Sequence, residues 1–251
     1  MTALITGASS GIGRDIARIL GNMGIRLIIS GRNTEKLEEL RKEIGMKQVK
    51  IITADISYRE ECFRLHEEAS KYKVDILINN AGFGLYGRFA DTDLERELEM
   101  IDVNITAVHI LTKLFLQDFK KRDKGYILNV ASSAGFMPGP LMSTYYATKN
   151  YVVRLTEAIH EELRSDGSRV YIGAFCPGPV DTNFNSTAGV RFALKGISSE
   201  YAARCAVDGM FARKPLIIPT AAMKAGVIAS RLVPDTLLSM VTAHIQQKKQ
   251  G

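Results

Sequence analysis

Short apolar runs without a polar break, separated by amphipathic stretches, limit the architecture of this chain more than any other feature. Leu27-Ile28-Ile29 leaves no position to face water in an extended strand. Strands buried on both faces belong to parallel sheets covered by helices. The expected strands are 3–6, 26–30, 50–53, 76–79, 125–130, 169–175 and 216–218. Helical patterns lie between them, at about 12–23, 34–44, 58–72, 93–121 and 144–165. Such β-α alternation predicts an α/β fold with helices on both faces of one parallel sheet. Ligands of such sheets bind beyond the carboxyl ends of the strands, where the strand order switches.

The chain has 251 residues, 46% of them hydrophobic, enough for one sizeable core, and one domain over 1–251 is expected. No uncharged apolar stretch reaches the roughly 18 residues of a spanning helix. Met1-Thr2-Ala3-Leu4-Ile5-Thr6 lacks the charged start and length of a signal peptide and reads as strand from the first residue. Cys62, Cys176 and Cys205 are odd in number and widely spaced, which points to a reducing, cytoplasmic setting. His66, His109, His160 and His244 have no mutual metal-ligand spacing.

The net charge of +6 is unevenly spread: residues 186–251 hold nine Lys or Arg against three acids, which accounts for the whole excess. A basic end suits a solvated surface, or a weak contact with anionic membrane or an acidic carrier. Nucleic acid is not an expected partner, because no basic stretch is interleaved with aromatics.

The first expected strand runs into Thr6-Gly7-Ala8-Ser9-Ser10-Gly11-Ile12-Gly13. Glycines there allow a sharp turn and close approach of a pyrophosphate, and the helix that follows offers free N–H groups. The spacing Gly7-x-x-x-Gly11-x-Gly13 differs from the common Gly-x-Gly-x-x-Gly pattern. The second strand ends in Ser30-Gly31-Arg32-Asn33, where an NAD site normally carries an acid for the ribose hydroxyls. Arg32 can instead pair with a 2′-phosphate, so NADP(H) is expected over NAD(H); the competing reading is an exposed arginine near a helix start. Asp55, followed by Ile56, either accepts from an adenine amino group or caps the next helix. In Asn79-Asn80-Ala81-Gly82, small residues let the backbone pack against a ribose, or simply make a turn.

Tyr145 and Lys149 are four residues apart on an expected helix and share a face. An ammonium there favours ionisation of a phenol that ordinarily titrates near ~10. Ser132, thirteen residues before Tyr145, offers a hydroxyl to hold a substrate oxygen against that phenol. Tyr146 and Ser133 are neighbours that helix geometry alone does not exclude.

Taken in order, the turn at 6–13, Asn79-Asn80-Ala81-Gly82, Asn104, Ser132, Tyr145-x-x-x-Lys149 and Pro177-Gly178 resemble the short-chain dehydrogenase/reductase family in its compact single-domain branch. The resemblance spans essentially the whole chain. It implies a Rossmann-like doubly wound seven-stranded parallel sheet of order 3-2-1-4-5-6-7. It implies that Tyr145 exchanges a proton with the substrate oxygen, that Lys149 holds the nicotinamide ribose and lowers the tyrosine pKa, and that Ser132 binds the carbonyl or alcohol. Asn104 would hold a water leading from Lys149 to solvent, and Pro177, Gly178, Val180 and Thr182 would border the nicotinamide. Homodimers or homotetramers, through the helices at 93–121 and 144–165, are implied as well.

The chain departs from the family pattern at Ser10, where many family reductases carry Arg; the 2′-phosphate would then lean mainly on Arg32. Residues 181–212 are rich in Thr, Ser, Ala and Gly, their helices look broken, and about 183–212 is expected to be a substrate lid. Phe184, Val190, Phe192, Leu194 and Ile197 in it suggest a greasy substrate or core packing. About 219–251 is expected to be a C-terminal extension, in which 221–247 hold apolar residues at helical spacing around Pro234, suited to docking or oligomer contact. The expected activity is NADP(H)-dependent reduction of a small-molecule ketone or aldehyde. The alternatives are an NAD(H)-linked alcohol dehydrogenase of the same family, a non-catalytic NADP(H) sensor and a peripheral membrane protein.

Overall fold

The computed structural model describes residues 1–182 and 196–247. Strand β1 (Thr2–Thr6) is buried at every position and pairs in parallel with β2 (Arg26–Gly31) and β4 (Ile76–Asn79). Beyond β2 lies β3 (Val49–Thr53); beyond β4 lie β5 (Tyr126–Val130), β6 (Tyr171–Phe175) and the short β9 (Leu216–Ile217). The order is β3-β2-β1-β4-β5-β6-β9. This is the expected seven-stranded Rossmann-like sheet. The numbering of its last strand reflects a separate parallel pair, β7 (Val180–Asp181) with β8 (Ile197–Ser198), which the sequence reading did not include. The order reverses between β1 and β4, and that switch places a crevice at their carboxyl ends.

Alternation along the strands splits the core in two. Leu4, Ile28, Leu77, Ile127 and Ile172 pack with residues of α3 (Arg59–Ser70), α5 (Val108–Lys121) and α6 (Ser143–Ser165), among them Leu65, Phe115 and Leu163. Their neighbours Ala3, Ile5, Leu27, Ile29 and Leu128 meet the opposite layer, α1 (Gly11–Asn22), α2 (Thr34–Ile44) and α7 (Ser199–Phe211). The helix expected over 93–121 is α4 (Leu94–Ile101) running into α5 through a π-helical stretch, Asp102–Ala107. Single π turns inside α-helices free main-chain groups and are frequent at functional sites.

Helix α7 corrects part of the reading of 181–212. It is continuous, Ser198 caps it by accepting from Tyr201 N, and Ala202, Ala203, Ala206, Val207 and Met210 are buried in the core that α1 shares. Small residues on that face let α1 and α7 lie close. Ser199–Phe211 is therefore framework, and the rest of the expected lid, apart from Gly196 to Ser198, lies at 183–195, outside the described residues. Phe184, Val190, Phe192 and Leu194 fall there too.

The C-terminal part forms α8 (Ala221–Ser230) and α9 (Asp235–Gln247), separated by residues 231–234. Helix α9 faces the protein with Leu238, Thr242 and Gln246 and turns Leu237, Met240, Val241 and Ile245 outward. No helix among the described residues is long and apolar enough to cross a membrane.

Candidate active site

Six consecutive strand ends feed one cavity of about 460 Å³. Gly7 follows β1, Arg32 follows β2, and Asp55, Asn80, Ser132 and Pro177 follow β3, β4, β5 and β6 by one or two residues. Of the candidate catalytic and cofactor-binding residues named from the sequence, Gly13 and Asn104 do not line it; Ser9, Ser10, Gly11, Ile12, Asn33, Ile56, Ala81, Gly82, Gly178, Val180 and Thr182 line it with the others.

The turn after β1 is shaped for close approach. Gly7 has φ +65°, and a Cβ there would lie 2.8 Å from Ala81 Cα. Asn80 braces the turn from β4, its Nδ2 donating to the carbonyls of Thr6 and Gly7 at 3.0 and 3.1 Å. Ser10, at the N-cap of α1, makes no side-chain cap bond, and the first turn of the helix carries no acid. The leading N–H groups and positive dipole end of α1 thus face the cavity with no acid in the helix's own first turn.

The other end is built on α6. Tyr145 and Lys149 are 9% and 4% exposed, with Lys149 Nζ 5.9 Å from the Tyr145 ring centroid. Lys149 Nζ donates to Val130 O at 3.0 Å. Ser132 Oγ accepts from Ala134 N at 3.1 Å, which opens the short 3₁₀ turn Ser133–Phe136 and fixes the hydroxyl beside Tyr145. The neighbouring residues are tied elsewhere: Gln246 Nε2 donates to Tyr146 Oη, and Ser133 N donates to Pro177 O at 2.8 Å.

Burial dominates the electrostatics at this end. Burial pushes the Tyr145 phenol up to about 12, partly offset by its hydrogen bond with Ser132. Burial also lowers Lys149, to about 8. Loss of solvation is the largest influence on both groups. The phenol is thus the protonated, donating form at neutral pH.

Asn104 lies in the π stretch and is fully buried. Its Oδ1 accepts from Phe83 N at 3.1 Å, and its Nδ2 donates to Phe83 O at 2.9 Å and to Thr148 Oγ1 at 3.0 Å. The amide thus pins the segment after Gly82 to α6. A Cβ on Gly82 would stand 2.9 Å from Asn104 Oδ1 and 3.2 Å from Lys149 Nζ, so only glycine leaves this approach open.

At the far rim, Arg32 has a side chain 59% exposed. Its Nη1 donates to Glu99 Oε1 at 2.9 Å and lies 3.7 Å from Asp55 Oδ2. Asp55 Oδ1 accepts from Ser57 N and Oγ at 3.1 and 2.7 Å, a local turn leading into α3. Asn33 caps α2 by accepting from Lys36 N at 2.9 Å.

The family model for short chain dehydrogenases matches residues 1–190. The chain belongs to the short-chain dehydrogenase family. A relative described as an uncharacterized oxidoreductase, from Staphylococcus aureus (strain MRSA252), is 33% identical over 187 residues, 74% of this chain and 80% of that protein. Among solved structures, a short-chain dehydrogenase from Sphingobium yanoikuyae in complex with NADPH is 29% identical with a TM-score of 0.83, covering 92% of this chain and 93% of that one. A short chain dehydrogenase/reductase from Burkholderia phymatum in complex with NAD is 25% identical with a TM-score of 0.82, covering 90% and 91%. This short-chain dehydrogenase is accordingly an oxidoreductase, similar to proteins that hold either nicotinamide dinucleotide.

The sequence reading missed Phe83, Arg96, Val103 and Met142 in the dehydrogenase's cavity wall. Phe83 adjoins Gly82 and Val103 adjoins Asn104, so proximity to a motif would have found both. Arg96 had no such signal.

Proposed function

We propose that this short-chain dehydrogenase is an NADP(H)-dependent reductase of a ketone or aldehyde. The observation that carries the reading is the pairing of Ser132, Tyr145 and Lys149 at the buried end of a cavity whose other end presents Arg32. The residues fit a dinucleotide: the clearances at Gly7 and Gly82, and the uncapped start of α1, are features a bound dinucleotide would use. A bound nicotinamide would supply the hydride. Ser132 holds the carbonyl oxygen, and the protonated Tyr145 donates to it as charge develops. Lys149 would hold the nicotinamide ribose hydroxyls and adds positive charge beside the phenol. Asn104, whose side-chain amide bonds Phe83 and Thr148, would hold a water for proton resupply through its main chain. Pro177, Gly178, Val180 and Thr182 would border the nicotinamide, Asp55 and Ile56 the adenine, and Arg32 the 2′-phosphate.

An NAD(H)-linked alcohol dehydrogenase is the second reading, favoured by the carboxylates of Asp55 and Glu99 at the adenosine rim. A non-catalytic sensor has no need of the Ser132-Tyr145-Lys149 grouping. A cytoplasmic homodimer or homotetramer through α4–α5 and α6 belongs to the same proposal. NADPH oxidation against sugars, steroids, keto acyl thioesters and aromatic aldehydes, with NADH beside it, tests the reading. Turnover of at least one carbonyl with NADPH favoured is expected; turnover with NADH alone, or none in any class, contradicts it.

A further inference from the structure

Two arginines and two acids meet at the adenosine end of the cavity. Glu99 on α4 joins the arginines: Oε1 accepts from Arg32 at 2.9 Å, and Oε2 accepts from Arg96. Arg96 lays its guanidinium 4.0 Å from the centroid of the Phe83 ring, and Arg96, Phe83 and Arg32 all line the cavity. Arg32 and Glu99 are 67 residues apart, so the bridge ties the end of β2 to α4 across the cavity rim. Asp55 Oδ2 completes the group 3.7 Å from Arg32 Nη1.

The formal charges at this rim cancel. An adenosine 2′-phosphate brings a charge of about −1.5 to −2 and seeks the guanidinium forks. Arg32 engages the carboxylates through Nη1 alone, leaving its Nε–Nη2 edge for a phosphate. The phosphate then sits near a carboxylate that also neutralises the arginines it needs. A ribose hydroxyl, uncharged, meets almost none of that repulsion.

The geometry points to Glu99 as a specificity-determining residue that works against the 2′-phosphate. Its carboxylate holds Arg32 and Arg96 and sets how far NADPH is preferred to NADH. The inference rests on the assignment of Arg32 to the 2′-phosphate, and it gives the cofactor choice an internal brake.

Glu99→Gln keeps the shape and removes the charge. Dissociation constants for NADPH and NADH, read by cofactor fluorescence at low and high salt, test it alongside Arg32→Ala and the double variant. Glu99→Gln is expected to bind NADPH about tenfold tighter at low ionic strength, with the gain shrinking in high salt. NADH affinity stays within about twofold, because that ligand lacks the 2′-phosphate and keeps only the pyrophosphate charge at the α1 turn. The double variant loses the gain. Weaker NADPH binding in Glu99→Gln, or an equal shift for both cofactors, overturns the role of Glu99 while leaving Arg32→Ala selective. Wild-type protein that binds both cofactors alike, with Arg32→Ala changing neither, overturns the NADP(H) reading itself.

Discussion

The two ends of the cavity obey different electrostatics. At the Tyr145 end, side chains are less than a tenth exposed and water is largely excluded. There, burial moves the phenol up and the ammonium down. At the Arg32 end, a guanidinium more than half exposed is held by carboxylates in contact with solvent. Exposed pairs of that kind are individually weak and screened by salt. On the proposed function, chemistry falls where charge is costly and geometry is fixed, and choice of cofactor where charge is cheap and adjustable. Substitutions at the first end should give large, salt-independent losses; at the second, modest and salt-dependent ones.

The largest effect expected is from Tyr145→Phe. Removing the proton donor should lower kcat by about 1,000-fold or more with any carbonyl the wild type reduces. A loss that varied with salt would break the contrast between the two ends. Lys149→Met follows, with kcat down by about 100-fold, since the charge beside the phenol goes but the phenol remains.

The pH profile sharpens the same end. Burial lowers Lys149 to about 8, so its ammonium is present at neutral pH and lost as pH rises through that value. The parameter kcat/KM for NADPH reports groups of the free enzyme and should be flat through neutrality, then fall above about pH 8. Tyr145, at about 12, remains a donor throughout that range.

Arg32→Ala belongs to the other end. It should weaken NADPH binding about tenfold at low salt and less at high salt, with kcat nearly unchanged. Smallest is Gln246→Leu, which removes the α9 contact with Tyr146. A cost of about 1 kcal/mol in thermal unfolding and a change of less than about threefold in kcat are expected.

What could be read from the sequence follows the same physics. Central strands such as β2 and β4 announced themselves because burial on both faces demands unbroken apolar runs. Tyr145 and Lys149 were legible because helix spacing puts i and i+4 on one face. Helix α7 was not, because its buried face is built largely from Ala202, Ala203, Ala206 and Gly209, whose small side chains give little apolar periodicity. Arg96 and Glu99 look like ordinary surface charges until the fold brings Arg32 to them from 67 residues away. In α9 the apolar periodicity was visible, but its direction was not: Thr242 and Gln246 turn inward to bond with Pro138 O and Tyr146 Oη. Burial is the largest cause of the Tyr145 shift, and no local spacing encodes burial.

The central claim is that chemistry and cofactor choice reside at separable ends of one cavity. Its most direct test is an NADPH titration of Tyr145→Phe by fluorescence. The account predicts an affinity within about twofold of wild type in a protein with no measurable turnover, because the 2′-phosphate contacts lie at the other end. NADPH affinity that collapsed together with turnover would contradict it.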